Sequence, residues 1–137
     1  MAPELAKVAE SPEGQAAAWW KFVYIAEAHA MNEWPLLSGR FNQGRGPVVV
    51  KEQPTRGIER CRLARSFASD FGMETQGSNY EILVDDPEEG EPFEKWYAPW
   101  PLRIYVLSGR TVEWIAEPES CSFDKAVVEM RTLLNLK

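Results

Sequence analysis

The sequence predicts a mixed α/β fold, a single domain over 1–137, and three observations carry that prediction. Apolar, β-rich runs at 20–27 and 80–86, together with two short runs flanking Ser108-Gly109, have the composition of strands. The stretches 55–71 and 122–134 instead repeat their apolar residues at helical spacing. At 137 residues, 45% of them hydrophobic and 26% charged, the chain is large enough to bury one core and far from the disordered class.

The same composition excludes several functions. Net charge is -6, and the lysines and arginines are scattered, which leaves no electrostatic footprint for nucleic acid or an anionic membrane. No apolar run approaches the roughly 20 residues of a membrane helix, and no secretory leader pattern opens the chain, so a cytoplasmic location is expected. Cys61 and Cys121 lie far apart and His29 is the single histidine, too few ligands for a zinc site and too few thiols for a disulfide framework. No metal or cofactor is expected.

In chain order, Pro3 and Glu4 suit a first helical turn, and Leu5, Val8 and Ala9 give that helix an apolar face. Ser11 can cap a new turn begun by Pro12, and "WWKFVYIA" follows as a strand buried on both faces. Residues 30–54 form a connection rich in glycine and proline, longer than a routine loop and of the kind that carries function or lacks order. Thr55 can cap the next helix, whose inward stripe is Ile58, Cys61, Ala64, Phe67, Ala68 and Phe71. After "YEILVDD" come a turn with one helical turn, a hairpin of strands 102–107 and 111–116, and a last helix with Phe123, Ala126, Val127, Met130, Leu133 and Leu134 on one face.

This order fits neither a doubly wound sheet nor a sandwich. It resembles the tail of a thioredoxin-like domain of the peroxiredoxin and TlpA-like branch: a mixed sheet with a C-terminal hairpin and helix, in which the first redox strand is missing. Within that fold "VYIAEAHAMNEW" resembles the iodothyronine deiodinase family, whose equivalent segment is Tyr-Ile-Glu-Glu-Ala-His followed shortly by Gly-Trp. Tyr24, Ile25, Glu27, Ala28, His29 and Trp34 match, whereas Ala26 and Glu33 depart. The long loop, "LVDD" at 83–86, and Tyr97, Arg103, Tyr105, Val106 and Gly109 agree in order.

The resemblance implies an oxidoreductase that dehalogenates iodinated or other halogenated phenols with a thiol as reductant. It also implies a selenocysteine followed by Pro just upstream of the position of Met1, so that the chain lacks its nucleophile and is inactive by itself. A UGA codon read as stop would start a gene call at the next methionine, and Met1 is expected to be such a start.

Residues two apart in an extended segment point the same way, so Glu27 and His29 share a face, and a carboxylate beside an imidazole favours the imidazolium. By resemblance these two are the catalytic acid pair. Arg103 would clamp a substrate carboxylate or phenolate, Tyr24 and Trp34 would line the substrate, and Pro101 would stand beside the redox turn as a candidate cis-proline. In this fold Glu27, His29, Pro101 and Arg103 are expected at one sheet edge, next to the chain's first residues.

Plainer readings stand beside these. His29 could be a locally bonded loop residue, Glu27 a solvated strand end, and Arg103 a surface partner of Asp85 or Glu94. Cys61 fits core packing, Cys121 is inert or mildly activated, and Trp96, Tyr97 and Trp100 form either an aromatic pocket or plain core. The rival function is a non-catalytic thioredoxin-like binding or interaction module. A sheet without its central strand exposes backbone edges, so dimerisation, rearrangement or instability is expected.

Overall fold

A computed structural model describes residues 2–27, 30–33, 52–73, 79–99, 102–116 and 123–136. Its elements, in order, are α1 (Ala2–Glu10), α2 (Pro12–Ala17), β1 (Trp20–Tyr24), α3 (Gly57–Asp70), β2 (Tyr80–Val84), α4 (Pro92–Tyr97), β3 (Ile104–Ser108), β4 (Thr111–Ala116) and α5 (Phe123–Leu133). The fold is mixed α/β. The chain divides into two compact units, one of residues 1–22, 73–81 and 102–137, the other of 23–72 and 82–101.

In the first unit, Ser11 separates α1 from α2 as its side chain suggests. It is extended at φ -66° and ψ 148°, its hydroxyl accepts from the Gly14 N–H at 3.0 Å, and it donates to the Val8 carbonyl at 2.7 Å. One hydroxyl thus satisfies the end of one helix and the start of the next. The turn is so tight that a Cβ on Gly14 would sit 1.9 Å from the Val8 oxygen. The Gly14 carbonyl accepts from the indole Nε1 of Trp20 at 3.0 Å, fixing where β1 begins. Asn79 adds a second tie, donating from Nδ2 to the carbonyls of Gln15 and Ala18 at 2.8 and 2.6 Å.

Leu5, Val8 and Met130 are the buried centre of this unit, with Trp20, Phe22, Ile104, Val106, Trp114, Val127 and Leu134 packed around them. The helical faces read from the sequence in α1 and α5 therefore meet one face of the hairpin. Among the described side chains of that face of α5, Leu133 stands apart at 46% exposed. The hairpin pairs Ser108 with Thr111, so its two-residue turn is Gly109-Arg110, one residue later than Ser108-Gly109. Gly109 has φ +60° at the first central position, where a type II′ turn needs glycine. A register shift between Val106 and Leu107 leaves Glu113 without an opposite residue.

The strands differ from expectation in extent and grouping. β1 ends at Tyr24 instead of Glu27, and Lys21 within it is exposed, so it is not buried on both faces. Instead of one mixed sheet, the described strands pair two by two, β1 with β2 and β3 with β4. Across β1 and β2, Lys21 and Glu81 form an exposed ion pair. Trp20 N–H donates to Asn79 O at 3.1 Å and Asp85 N–H to Tyr24 O at 2.9 Å; the bonds advance together along both strands, so β1 and β2 are parallel.

In the second unit α3 starts two residues after Thr55, with Arg56 at its N-cap and no side-chain cap bond there. Glu88 supplies the acceptor instead, taking the Gly57 N–H at 2.8 Å, and a carboxylate at a helix start also suits the helix dipole. This start rotates the inward stripe: Gly57, Arg60, Ala64 and Ala68 are buried, whereas Ile58 is 46% exposed. Cys61 is half-buried at the flank of that stripe, and Phe67 packs edge-on to Tyr24 and tilted against Phe71.

Candidate functional site

Arg60 is the least expected residue of the second unit, an arginine only 1% exposed in the first turns of α3. A buried guanidinium is tolerated only when its donors are spent. Nη1 donates to the Asp85 carbonyl at 2.7 Å, and Nη2 donates to Glu91 Oε1 at 2.7 Å and to the Pro54 carbonyl at 3.5 Å. Among the described residues its buried Nε–H has no hydrogen-bond partner. One side chain thereby ties together residue 54, the end of β2 and the entry to α4.

Asp85, 2% exposed, completes that junction from the other side. Its two carboxylate oxygens accept the N–H groups of Phe93 and Glu94 at 2.8 and 2.9 Å, capping α4. Its own N–H is spent on Tyr24, as above. Asp86 accepts the Glu88 N–H at 2.9 Å and so shapes the turn that carries Glu88 to α3. The "LVDD" segment is thus a structural junction in which both carboxylates hold backbone amides.

Beside it lies the end of β1. The Tyr24 hydroxyl donates to Glu27 Oε1. Burial raises the proton affinity of the Glu27 carboxyl above that of an ordinary glutamate, and the Arg60 guanidinium offsets part of the rise. The main chain of Glu27 is held just as firmly: its N–H donates to Gln53 Oε1 and its carbonyl accepts from Gln53 Nε2, both at 2.9 Å. Gln53 Nε2 also reaches Glu33 Oε2 at 3.1 Å, and the Gln53 N–H donates to Asn32 Oδ1 at 3.0 Å. Gln53 therefore staples Glu27, Asn32 and Glu33 to the residues just before α3.

Of the residues singled out from the sequence, Tyr24 and Glu27 are brought into direct contact. Arg103 belongs to the first unit, where its side chain is half-buried. His29, Trp34 and Pro101 lie outside the described residues, as do Cys121 and Trp100. Glu27 is not a solvated strand end. Trp96 is neither pocket nor core, since it is 81% exposed on α4, while Tyr97 stacks on Phe93 with ring centres 4.7 Å apart. Sequence reasoning missed Arg60, Gln53 and the capping role of Asp85. The one available signal was Arg60 standing three residues after Gly57 and four before Ala64, on the stripe that later proves to face inward.

Among the described residues no group of histidine, cysteine, aspartate and glutamate could hold a metal ion, and no helix is long and apolar enough to cross a membrane. A groove of about 420 Å³ in the first unit, between α1 and α5, is lined by Lys7, Ser11, Glu13 and Val127 among others, and none of the site residues touches it. Compared with family models, curated proteins and solved structures, the chain matches none.

Proposed function

We propose that this chain is the acid-bearing part of a thioredoxin-like, deiodinase-like oxidoreductase domain that removes iodine or another halogen from phenols at the expense of a thiol. The observation that supports the reading is the state of Glu27. A carboxyl desolvated at the end of β1, held by Tyr24 and two residues before His29, retains its proton at a higher pH than a free glutamate.

Reductive dehalogenation requires such a donor. In the reaction implied by the resemblance, a selenolate or thiolate takes the halogen from the ring carbon as the carbon–halogen bond breaks. The ring carbon takes up a proton; one thiol then displaces the halide and bonds to the nucleophile's chalcogen, and a second thiol frees the nucleophile, the two thiols leaving as a disulfide. On this reading Glu27 and His29 hold and deliver the proton. Tyr24 orients Glu27, Trp34 and Arg103 bind the substrate, Arg103 through its carboxylate or phenolate, and Pro101 borders the redox turn. The nucleophile is supplied by sequence upstream of Met1.

The test begins with the DNA upstream of Met1. An in-frame UGA or Cys codon followed shortly by a Pro codon is expected there, and the chain extended to include it should release iodide from iodinated phenols with dithiothreitol while residues 1–137 alone do not. Turnover by the short chain, or an upstream frame without such a codon, overturns the reading.

A second reading, a non-catalytic interaction module that pairs with another copy, is favoured by the outer face of the hairpin. Leu107, Val112 and Ile115 are 51%, 41% and 42% exposed there. Sedimentation of residues 1–137 separates the two: a concentration-dependent dimer with no activity in the extended form supports the module.

A further inference from the structure

α3 turns a cationic face outward. With Gly57, Arg60, Ala64 and Ala68 directed inward, helical periodicity brings Ile58, Arg62, Arg65 and Ser69 to the opposite side. All four are exposed, and among the described residues neither arginine has a hydrogen bond or ion pair. The start of the same helix presents the opposite charge: Glu88 accepts the Gly57 N–H, and both Glu88 and Glu89 are exposed in their turn. We propose that a second copy of this chain docks on the outer face of α3, antiparallel, so that Arg62 and Arg65 of each copy face Glu88 and Glu89 of the other.

Charge and spacing carry the pairing. A helix rises about 1.5 Å per residue, so Arg62 and Arg65 stand roughly 8 and 12 Å along the axis from Gly57, where the acidic turn is bonded. When two such helices lie side by side under a two-fold axis that crosses them near Cys61, each pair of arginines comes level with the partner's acidic turn. Ile58 of each copy then lies within one turn of that axis, where its exposed side chain gains cover. A parallel arrangement would instead set arginine on arginine and glutamate on glutamate, which is repulsive. The antiparallel contact is self-complementary, as a closed dimer requires.

Net charge is -6, so two copies repel one another unless opposite charges are set face to face, and this surface sets them so. Exposed ion pairs add little singly, but complementary patches fix the register of an encounter and exclude like-charged ones. The outer face of the hairpin, with Leu107, Val112 and Ile115, offers pairing of another kind, apolar and not charged. Salt tells the two apart: screening weakens the contact across α3 and leaves an apolar contact intact. The α3 contact rests on neither functional reading given above.

The experiment is sedimentation equilibrium of residues 1–137 at low and high sodium chloride, about 20 and about 500 mM. A dimer is expected at low salt, with an association constant that falls about tenfold or more at high salt. Arg65→Glu and Glu89→Lys should each weaken association at low salt by about tenfold or more, while the two together in one chain should restore it, because each new glutamate then faces a new lysine. Circular dichroism checks that each variant keeps the parent's helix content. A monomer at low salt overturns the proposal, as does a double variant no better than the single ones. A dimer indifferent to salt and to both reversals overturns it too, and assigns the pairing to the hairpin. Should a variant fail to fold, the salt dependence of the parent decides.

Discussion

Arg60 and Asp85 meet through the backbone and not as an ion pair: Nη1 donates to the Asp85 carbonyl at 2.7 Å, while the Asp85 carboxylate takes the amides of Phe93 and Glu94. An aspartate that looks like a charge partner is in fact a helix cap. The arginine is held by carbonyls and by Glu91.

The cap carries the first prediction. Asp85→Ala leaves two amides of a six-residue helix unpaired in a buried setting, so denaturant unfolding should show a loss of about 2 kcal/mol. Asp85→Asn keeps one acceptor oxygen and should lose roughly half of that. Equal stability of all three proteins would mean that the cap contributes nothing.

The second concerns pH. Because burial raises the proton affinity of Glu27, the folded state binds more protons than the unfolded one between the ordinary glutamate value and the raised one. Stability from this group is complete below the ordinary value and is lost as pH rises through the raised value. Glu27→Gln preserves an acceptor for Tyr24 and removes the buried charge, so its melting temperature should exceed the parent's at neutral pH. The advantage should vanish below the ordinary glutamate range, in thermal melts recorded across pH.

A third prediction follows from the α1–α2 turn. Gly14→Ala drives a Cβ to within 1.9 Å of the Val8 oxygen, a distance only backbone movement can relieve. A cost of roughly 1–3 kcal/mol is expected. Near-ultraviolet circular dichroism should register it at Trp20, whose indole bonds to Gly14.

Ala98 offers the opposite case. It terminates α4 with φ 45° and ψ 53°, a left-handed conformation that penalises a Cβ. Ala98→Gly should stabilise by about 0.5–1 kcal/mol after the added chain entropy of glycine is allowed for. A drop in denaturation midpoint would contradict this.

Much of the local structure was legible in the residues themselves. Ser11 followed by Pro12 marks the α1–α2 break, and Leu5, Val8 and Met130 occupy the buried faces that their spacing assigns. In α3 the reading slipped by one residue: Ile58 is more apolar than Arg60, yet the helix starts at Gly57 under Glu88 and turns Arg60 inward. Hydropathy cannot anticipate that, because a buried arginine is stable only where distant carbonyls and a carboxylate arrive to meet it. The pairing of Tyr24 with Glu27 is three residues apart and was within reach of sequence. Its desolvation was not.

By itself the sequence determined the kinds and order of elements, the apolar faces of α1 and α5, and a glycine at the hairpin turn, since each depends on contacts or dihedral limits within a few residues. Tertiary structure decided that Gln53 ties Glu27, Asn32 and Glu33 together, that Arg60 is buried and that Asp85 caps α4. The physical reason is that a polar group's fate depends on which donors and acceptors the fold brings to it, and most of those partners lie 20 to 31 residues away along the chain, apart from the Pro54 carbonyl six residues before Arg60 and the cap of Asp85, which reaches forward eight and nine.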